Sequence, residues 1–299
     1  MSDLRMPRYP VYVPSKERST TCLTAQFLIR DGVPFHLVVE PSQVDAYRKV
    51  FPDQSILVLP RDGMRLLGSR LWIREHSIAA GFDRHWQLDD NLRCVMRLYR
   101  GRRIRANSGI ALRCVEDFSD RYTNIGVSGM NYTMFVPNNN PTPYWLNCHV
   151  YSCSLINNRM PHKWRLLYND DTDLCLQVLA SGMCTVAVSV FSIQKVRTGI
   201  IKGGNTDDLY RDDGRLTMAK SLERMWPGVV VTKRRFQRPQ HVIVKSWRQF
   251  DQQLIRRTDI DWSAIEQNRI DEYGLSLMKL KPIESAALQR WWNRHGKPE

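Results

Sequence analysis

The first ninety residues alternate between short apolar runs and amphipathic stretches, and this alternation constrains the fold more than any other feature of the chain. The segments "PVYVPS" (10–15), "PFHLVVE" (34–40), "SILVLP" (55–60) and "HWQLDD" (85–90) predict strands. Between them, "TTCLTAQFLIRDG" closed by Gly32, the stretch around "SQVDAYRKVF", and "SRLWIREHSIAAG" ending at Gly81 predict helices. Continuous apolar strands joined by amphipathic helices can bury both faces only as a mostly parallel sheet with helices on each side, an α/β fold. The 299 residues suffice for a large core.

Beyond residue 92 the pattern changes. "RCVMRLYRGRRIRANSG" predicts a strand and a basic loop, "GIALRCVEDFSDRY" a helix, and "NIGVSGMNYTMFV" a strand with a Gly-containing bend. "PNNNPTP" (137–143) is a loop by composition. "YWLNCHVYSCSLIN" predicts one strand, "LLYNDDTDLCLQVLASG" (166–182) a helix, and "TVAVSVFSIQK" another strand. A Gly-rich loop (198–208), a helix over "RLTMAKSLERMWPG" and a helix near the end, "ESAALQRWWNRHG", complete the reading. The expected division is a sheet domain over residues 1–230 and a basic C-terminal extension over 231–299 that packs on it.

Formal net charge is +14, from 44 Lys+Arg against 30 Asp+Glu. Such an excess selects polyanionic partners, nucleic acid first among them. The charge is concentrated in "RLYRGRRIR" (97–105), with Arg100, Arg102, Arg103 and Arg105, and in a stretch from Lys233, Arg234 and Arg235 to Arg248, interleaved with Tyr99, Phe236 and Trp247. No apolar run is long enough to span a bilayer, which excludes an integral membrane helix. The opening MSDLRMPRYP lacks the apolar segment of a signal peptide, so a cytoplasmic protein is expected. Seven cysteines, scattered and without a Cys-x-x-Cys pair, predict reduced thiols rather than disulfides or a zinc site.

In sheets of this kind ligands bind beyond the carboxyl ends of the strands. That places Ser15, Lys16, Arg18, Glu40, Asp89 and Asp90 along one rim. A second acidic cluster, Asp170, Asp171 and Asp173, opens the helix after residue 169. Aspartates there satisfy orphan amides and complement the helix dipole. Two acidic clusters in one α/β unit also fit chemistry with a phosphate leaving group: a divalent ion on one, and a base on the other that accepts the proton of an attacking hydroxyl.

The arrangement resembles the GT-A class of nucleotide-sugar glycosyltransferases, through "VPSKERS", "HWQLDDN" and "NDDTDLCLQVL". More narrowly, "HWQLDDN", "TNIGVSGMNY" and "NDDTDLCL" together resemble the TET/JBP-associated glycosyltransferases, over roughly residues 8–230. The resemblance implies a UDP-sugar donor and, for phage-type members, transfer to the hydroxymethyl group of 5-hydroxymethylcytosine in DNA. It implies that Asp89 contacts the sugar or ribose, and that Asp90 and Asn91 hold Mn²⁺ or Mg²⁺ on the diphosphate. Asp171 becomes the base, with Asp170 as substitute, and Asp173 caps or orients. Asn91 stands where the motif has an acid. No histidine follows the base until His241, and Lys202 is the candidate to take that place as a cation on the diphosphate.

Ser15, Lys16, Arg18 and Glu40 are the remaining nucleotide candidates; Lys16 and Arg18 are equally readable as surface charges. Asn131 and Tyr132 are candidates to face the acceptor, while His149, Trp86 and Trp164 are readable as core. Three further functions compete: a transferase of the same fold acting on a protein or small-molecule hydroxyl, a metal-dependent nuclease, and a non-catalytic DNA-binding protein. The nuclease lacks an Asp/Glu-x-Lys pair in a strand, and the DNA-binding protein leaves two acidic clusters unexplained beside a polyanion. A dedicated base favours inversion at the anomeric carbon without deciding it.

Overall fold

A computed structural model describes residues 5–140, 142–196, 201, 203, 214–235, 237–244 and 247–268. Lys202, Phe236 and the expected helix over 284–296 lie outside the described residues.

The alternating opening folds as its pattern requires. β1 (Val11–Pro14), β2 (His36–Val39), β3 (Ser55–Val58) and β4 (Arg84–Leu88) pair in parallel in the order β3-β2-β1-β4, with α1 (Leu23–Arg30), α2 (Val44–Val50) and α3 (Arg65–Ala79) between them. The sheet continues through β9 (Cys153–Asn157), β7 (Ile125–Tyr132), β10 (Cys184–Lys195), β5 (Leu92–Tyr99) and β6 (Arg102–Ala106), and β8 (Tyr144–Leu146) pairs on β10. β9 runs antiparallel to both β4 and β7. β7 and β10 therefore point the same way as the first four strands, and their carboxyl ends share one rim.

Alternation along β1 shows how both faces are covered. Val11 and Val13 enter a core shared with Ala25, Phe27 and Leu28 of α1 and Leu112 of α4 (Ser108–Ser119). Tyr12 between them turns to the other face, against Ile73 of α3. Further along that second face, α5 (Asp170–Ala180) packs Leu174, Cys175 and Val178 on Val127, Ile156 and Ala187. The seven cysteines are all free thiols.

Three expectations are corrected. The basic loop after β5 is a strand, because Arg100 and Gly101, at φ 47° and 73°, make a tight turn of the kind that closes two-residue hairpins. The single strand expected over 144–157 is two, since β8 pairs with β10 whereas β9 pairs with β4 and β7, and Asn147 and Ser152 at positive φ redirect the chain between them. The glycines of β7 make no bend; a Cβ at Gly129 would collide with the Cys153 carbonyl, so glycine there lets β9 approach.

After α6 (Gly214–Met225), β11 (Val230–Arg235) and β12 (Arg238–Ile243) form a separate antiparallel hairpin. Leu222 and Val230 pack on Leu176 of α5. Residues 252–257 then return to the main sheet. Thr123 N donates to Ile255 O at 2.9 Å, and the Asn124 and Asn147 amides donate to Gln253 and Gln252 carbonyls at 2.9 and 2.8 Å. A last helix, α7 (Trp262–Asn268), follows.

Candidate active site

Beyond β4 the chain places Asp89 and Asp90 on the sheet rim, and the two carboxylates take different partners. Asp90, 6 % exposed, accepts from Ser15 Oγ at 2.8 Å and from Arg18 Nη1 at 2.6 Å. Ser15 accepts in turn from the Tyr47 hydroxyl at 2.6 Å. Arg18 Nη2 donates to the Gly203 carbonyl at 2.7 Å, which ties the described end of the Gly-rich segment to the loop after β1. Burial raises the Asp90 carboxyl above its ordinary range, and Arg18 opposes that.

Asp89 faces the other way. Its Oδ2 accepts from Lys195 Nζ at 2.8 Å and Ser152 Oγ at 2.5 Å, and its Oδ1 lies 3.6 Å from Arg70 Nη2. Burial pushes this carboxyl up, but Lys195 and Arg70 outweigh it and hold it at about 2. Lys195 ends β10, and its ammonium also donates to Ser152 Oγ at 2.7 Å. Burial lowers the Lys195 pKa and Asp89 more than reverses this, so the group is a permanent cation.

Arg70 joins the two acidic clusters. It is 6 % exposed on α3, and its Nε lies 2.6 Å from Asp170 Oδ2, off the line a hydrogen bond needs. Gln87 of β4 orients it, accepting from Arg70 Nη1 and donating to the Arg70 carbonyl, both at 3.2 Å. Arg70 lies over the buried Trp164 ring at 5.7 Å, which makes that tryptophan part of the packing beneath the site.

Among the described residues, the residue next to Asp170 has no cation of its own within bonding distance. Asp171 accepts from the Thr172 amide at 2.8 Å, in the first turn of α5. Burial and the neighbouring Asp170 carboxylate push its pKa up to about 7, against a smaller opposing effect of Arg70. Asp173 is turned away, buried, and held by Arg165 Nη2 at 2.9 Å and Trp226 Nε1 at 2.7 Å. Tyr132 closes the site: its ring lies 5.6 Å from Lys195 Nζ, and its hydroxyl and Ser152 Oγ are 2.5 Å apart. Glu17, Ser152 and Asn169, around this site, hold φ of 56°, 52° and 52°, a conformation that persists only where surrounding contacts impose it.

The structure thus brings together Asp89, Asp170, Asp171 and Tyr132, and places Ser15, Arg18 and Asp90 beside them. Glu40 is buried, takes the Gly63 amide at 2.9 Å and faces Lys16 at 3.5 Å. Asn131 is buried next to Tyr132, and among the described residues neither its amide nitrogen nor the Asn91 side-chain oxygen has a partner. Of the basic residues, Arg100, Arg102, Arg103 and Arg105 sit on the exposed β5–β6 hairpin at the sheet edge; Lys233, Arg234 and Arg235 are exposed on the separate β11–β12 hairpin. Arg105 is already neutralised by Asp31. Arg70, Lys195, Ser152 and Gln87 escaped the sequence reading. A buried arginine in mid-helix and a lysine closing an apolar strand were the only local signals.

Asp90 does not fit the metal role, since each of its oxygens already accepts from Ser15 or Arg18. Asp89 and Asp170 are likewise opposed by basic side chains. Among the described residues no three His, Cys, Asp or Glu side chains converge as a metal requires.

The model of a family described as TET-Associated Glycosyltransferase matches residues 9–204. No curated protein matches the chain. Among solved structures it is similar to a protein from Desulfovibrio desulfuricans G20 assigned as a nucleotide-diphospho-sugar transferase, at 9 % identity and a TM-score of 0.37, over 74 % of this chain and 99 % of that one.

Proposed function

From the premise that this chain belongs to the TET-associated glycosyltransferase family, we propose that it moves a sugar from a UDP-sugar to the hydroxymethyl group of 5-hydroxymethylcytosine in DNA, with inversion. That it is a sugar-transferring enzyme with a nucleotide-sugar donor follows from the family itself. The observation that supports a base-assisted, inverting transfer is the position of Asp171 next to Asp170, which Arg70 links to Asp89, with burial and Asp170 pushing the Asp171 carboxyl up to about 7.

In this reading Asp171 takes the proton of the acceptor hydroxyl as its oxygen attacks the anomeric carbon. The bond from that carbon to the diphosphate breaks, and its electron pair leaves on UDP. A base with a pKa near the working pH is ionised often enough to act, yet basic enough to pull the proton. Arg70 and Lys195 are fixed cations that need no reorganisation as charge develops on the leaving group. They take the place of the divalent ion expected on Asp90 and Asn91, since both Asp90 oxygens are engaged by Ser15 and Arg18 and Asn91 alone offers an open oxygen. Ser15, Lys16, Arg18, Glu40 and Asp90 are the nucleotide side of the site, with Asp89 towards the sugar. DNA backbone is assigned to the β5–β6 arginines and the β11–β12 basic run, the latter within a C-terminal extension of the sheet domain.

The test is mass spectrometry of nucleosides after incubation of hydroxymethylated and unmodified DNA with a panel of nucleotide sugars. A hexose-mass adduct on hydroxymethylcytosine alone is the expected result. Adducts on protein or small hydroxyl acceptors with none on DNA would reassign the acceptor.

A further inference from the structure

We propose that the aromatic turn leaving β7, centred on Phe135 with Tyr132 and Tyr151, is a stacking platform for an unpaired nucleobase of the acceptor strand. The inference rests on the DNA-acceptor reading above and adds the surface that receives the base.

The turn begins where the acceptor must arrive. Tyr132 is the last residue of β7 and touches Ser152 and Lys195 through its hydroxyl. The Phe135 amide donates to the Tyr132 carbonyl at 2.9 Å, so Phe135 is folded back beside the catalytic rim instead of leading away from it. Its ring centroid lies 5.7 Å from that of Tyr132 and 6.4 Å from that of Tyr151. Tyr132 and Tyr151 stack at 5.3 Å with 6° between their planes. The row continues to His149, whose ring is 3.9 Å from Tyr151, and then to Trp247 at 5.1 Å. The inner rings are held by neighbours, while the outer end is open: Phe135 is 37 % exposed and Met134 beside it 75 %.

Exposed apolar side chains are common singly, but here Met134 and Phe135 are adjacent and Phe135 extends a continuous row of aromatic rings to the mouth of a polar site, the kind of contiguous surface that marks a binding site. A flat apolar ligand supplies one. The choice of a base over the donor's sugar ring comes from charge. The β5–β6 hairpin is fastened to this same turn, with Arg103 Nη2 donating to the Val136 carbonyl at 2.6 Å. Arg97 and Arg100 lie over the Tyr99 ring at 5.3 and 5.2 Å, and Arg102 is exposed next to them. A cationic hairpin abutting an aromatic surface suits a group with a π-face and a phosphate together, which is a nucleotide within a strand. In the reading above the donor's phosphates are met by Arg70 and Lys195, which lies against Tyr132 at the inner end of the row, while Phe135 and the cationic hairpin form its outer end.

Any π-face should serve as platform, whereas an aliphatic side chain of similar size should not. The experiment measures transfer to a hydroxymethylcytosine oligonucleotide, with KM determined separately for the oligonucleotide and the UDP-sugar, in the full-length wild type and in Phe135→Trp and Phe135→Leu. The expected result is an oligonucleotide KM close to wild type for Phe135→Trp and raised about tenfold for Phe135→Leu. An unchanged oligonucleotide KM in Phe135→Leu overturns the platform, and so does a rise in the UDP-sugar KM instead. If the wild type itself transfers nothing to the oligonucleotide, the acceptor reading fails first and the platform with it. The two failures are thus told apart by the wild-type control.

Discussion

Replacing Asp171 by Asn separates two roles that look alike in sequence, helix capping and proton abstraction. The Asn side chain is isosteric and keeps an oxygen for the Thr172 amide, so the contact at the start of α5 survives. What disappears is a half-buried negative charge beside Asp170. A carboxyl raised from 3.8 to about 7 is disfavoured as an anion by roughly 4 kcal/mol in the folded protein. The sign follows from proton uptake: a folded-state pKa above the unfolded one means that the native state binds the extra proton. This group's contribution to stability is therefore present at acid pH and is lost as pH rises from about 4 to about 7. Asp171→Asn removes that loss, so the variant is expected to be more stable than wild type above about pH 8, by up to roughly 4 kcal/mol, with the difference shrinking towards about pH 4. Sugar transfer should fall by about 10²–10⁴ in kcat, and the wild-type rate, which rises with pH through about 7, should lose that limb in the variant. Urea unfolding at the two pH values and a pH–rate profile measure both effects. A variant that transfers sugar at the wild-type rate, or that is no more stable than wild type above about pH 8, refutes the assignment of Asp171 as a raised carboxylate base.

Three further outcomes are expected. Arg70→Met leaves Asp170 buried without its cation and should cost about 3–5 kcal/mol, most of it recovered by adding Asp170→Asn; urea unfolding of the two single variants and the double variant measures the coupling. Transfer should persist in excess EDTA within about twofold, because of the two expected metal ligands Asp90 is already engaged by Arg18, and the neighbouring carboxylates Asp89 and Asp170 by Lys195 and Arg70; a rate abolished by EDTA and restored by Mn²⁺ would contradict that. Arg102→Ser should flatten the slope of log K for DNA against log salt by about 0.9, whereas Arg105→Ser, whose charge Asp31 already neutralises, should leave it nearly unchanged; equal effects would show that the hairpin does not meet phosphate through its outer side chains.

The pairing of side chains was the least legible part of the site. Asp89 and Asp171 stood out because acids beside apolar runs are visible locally, and their order matched a known arrangement. Arg70 looked like any polar position on a helix, and Lys195 like the polar end of a strand. Their partners lie 100 and 106 residues away. The same limit explains the misread stretch over 144–157, where β-propensity runs on without a break. Asn147 and Ser152 turn the chain only because β8 must reach β10 and β9 must fill the space between β4 and β7.

The periodicity of apolar residues by itself determined the layered sheet, its first four strands and the rim on which the acids emerge, because burial of a face is written into neighbouring residues at the spacing of the element. Which cation meets which carboxylate was decided only when β4, β10 and α5 converged with α3. Those energies belong to distances across the fold, and no spacing along the chain encodes them. The sequence supplied the charges, and the tertiary structure made one aspartate a strong acid at about 2 and another a weak one at about 7.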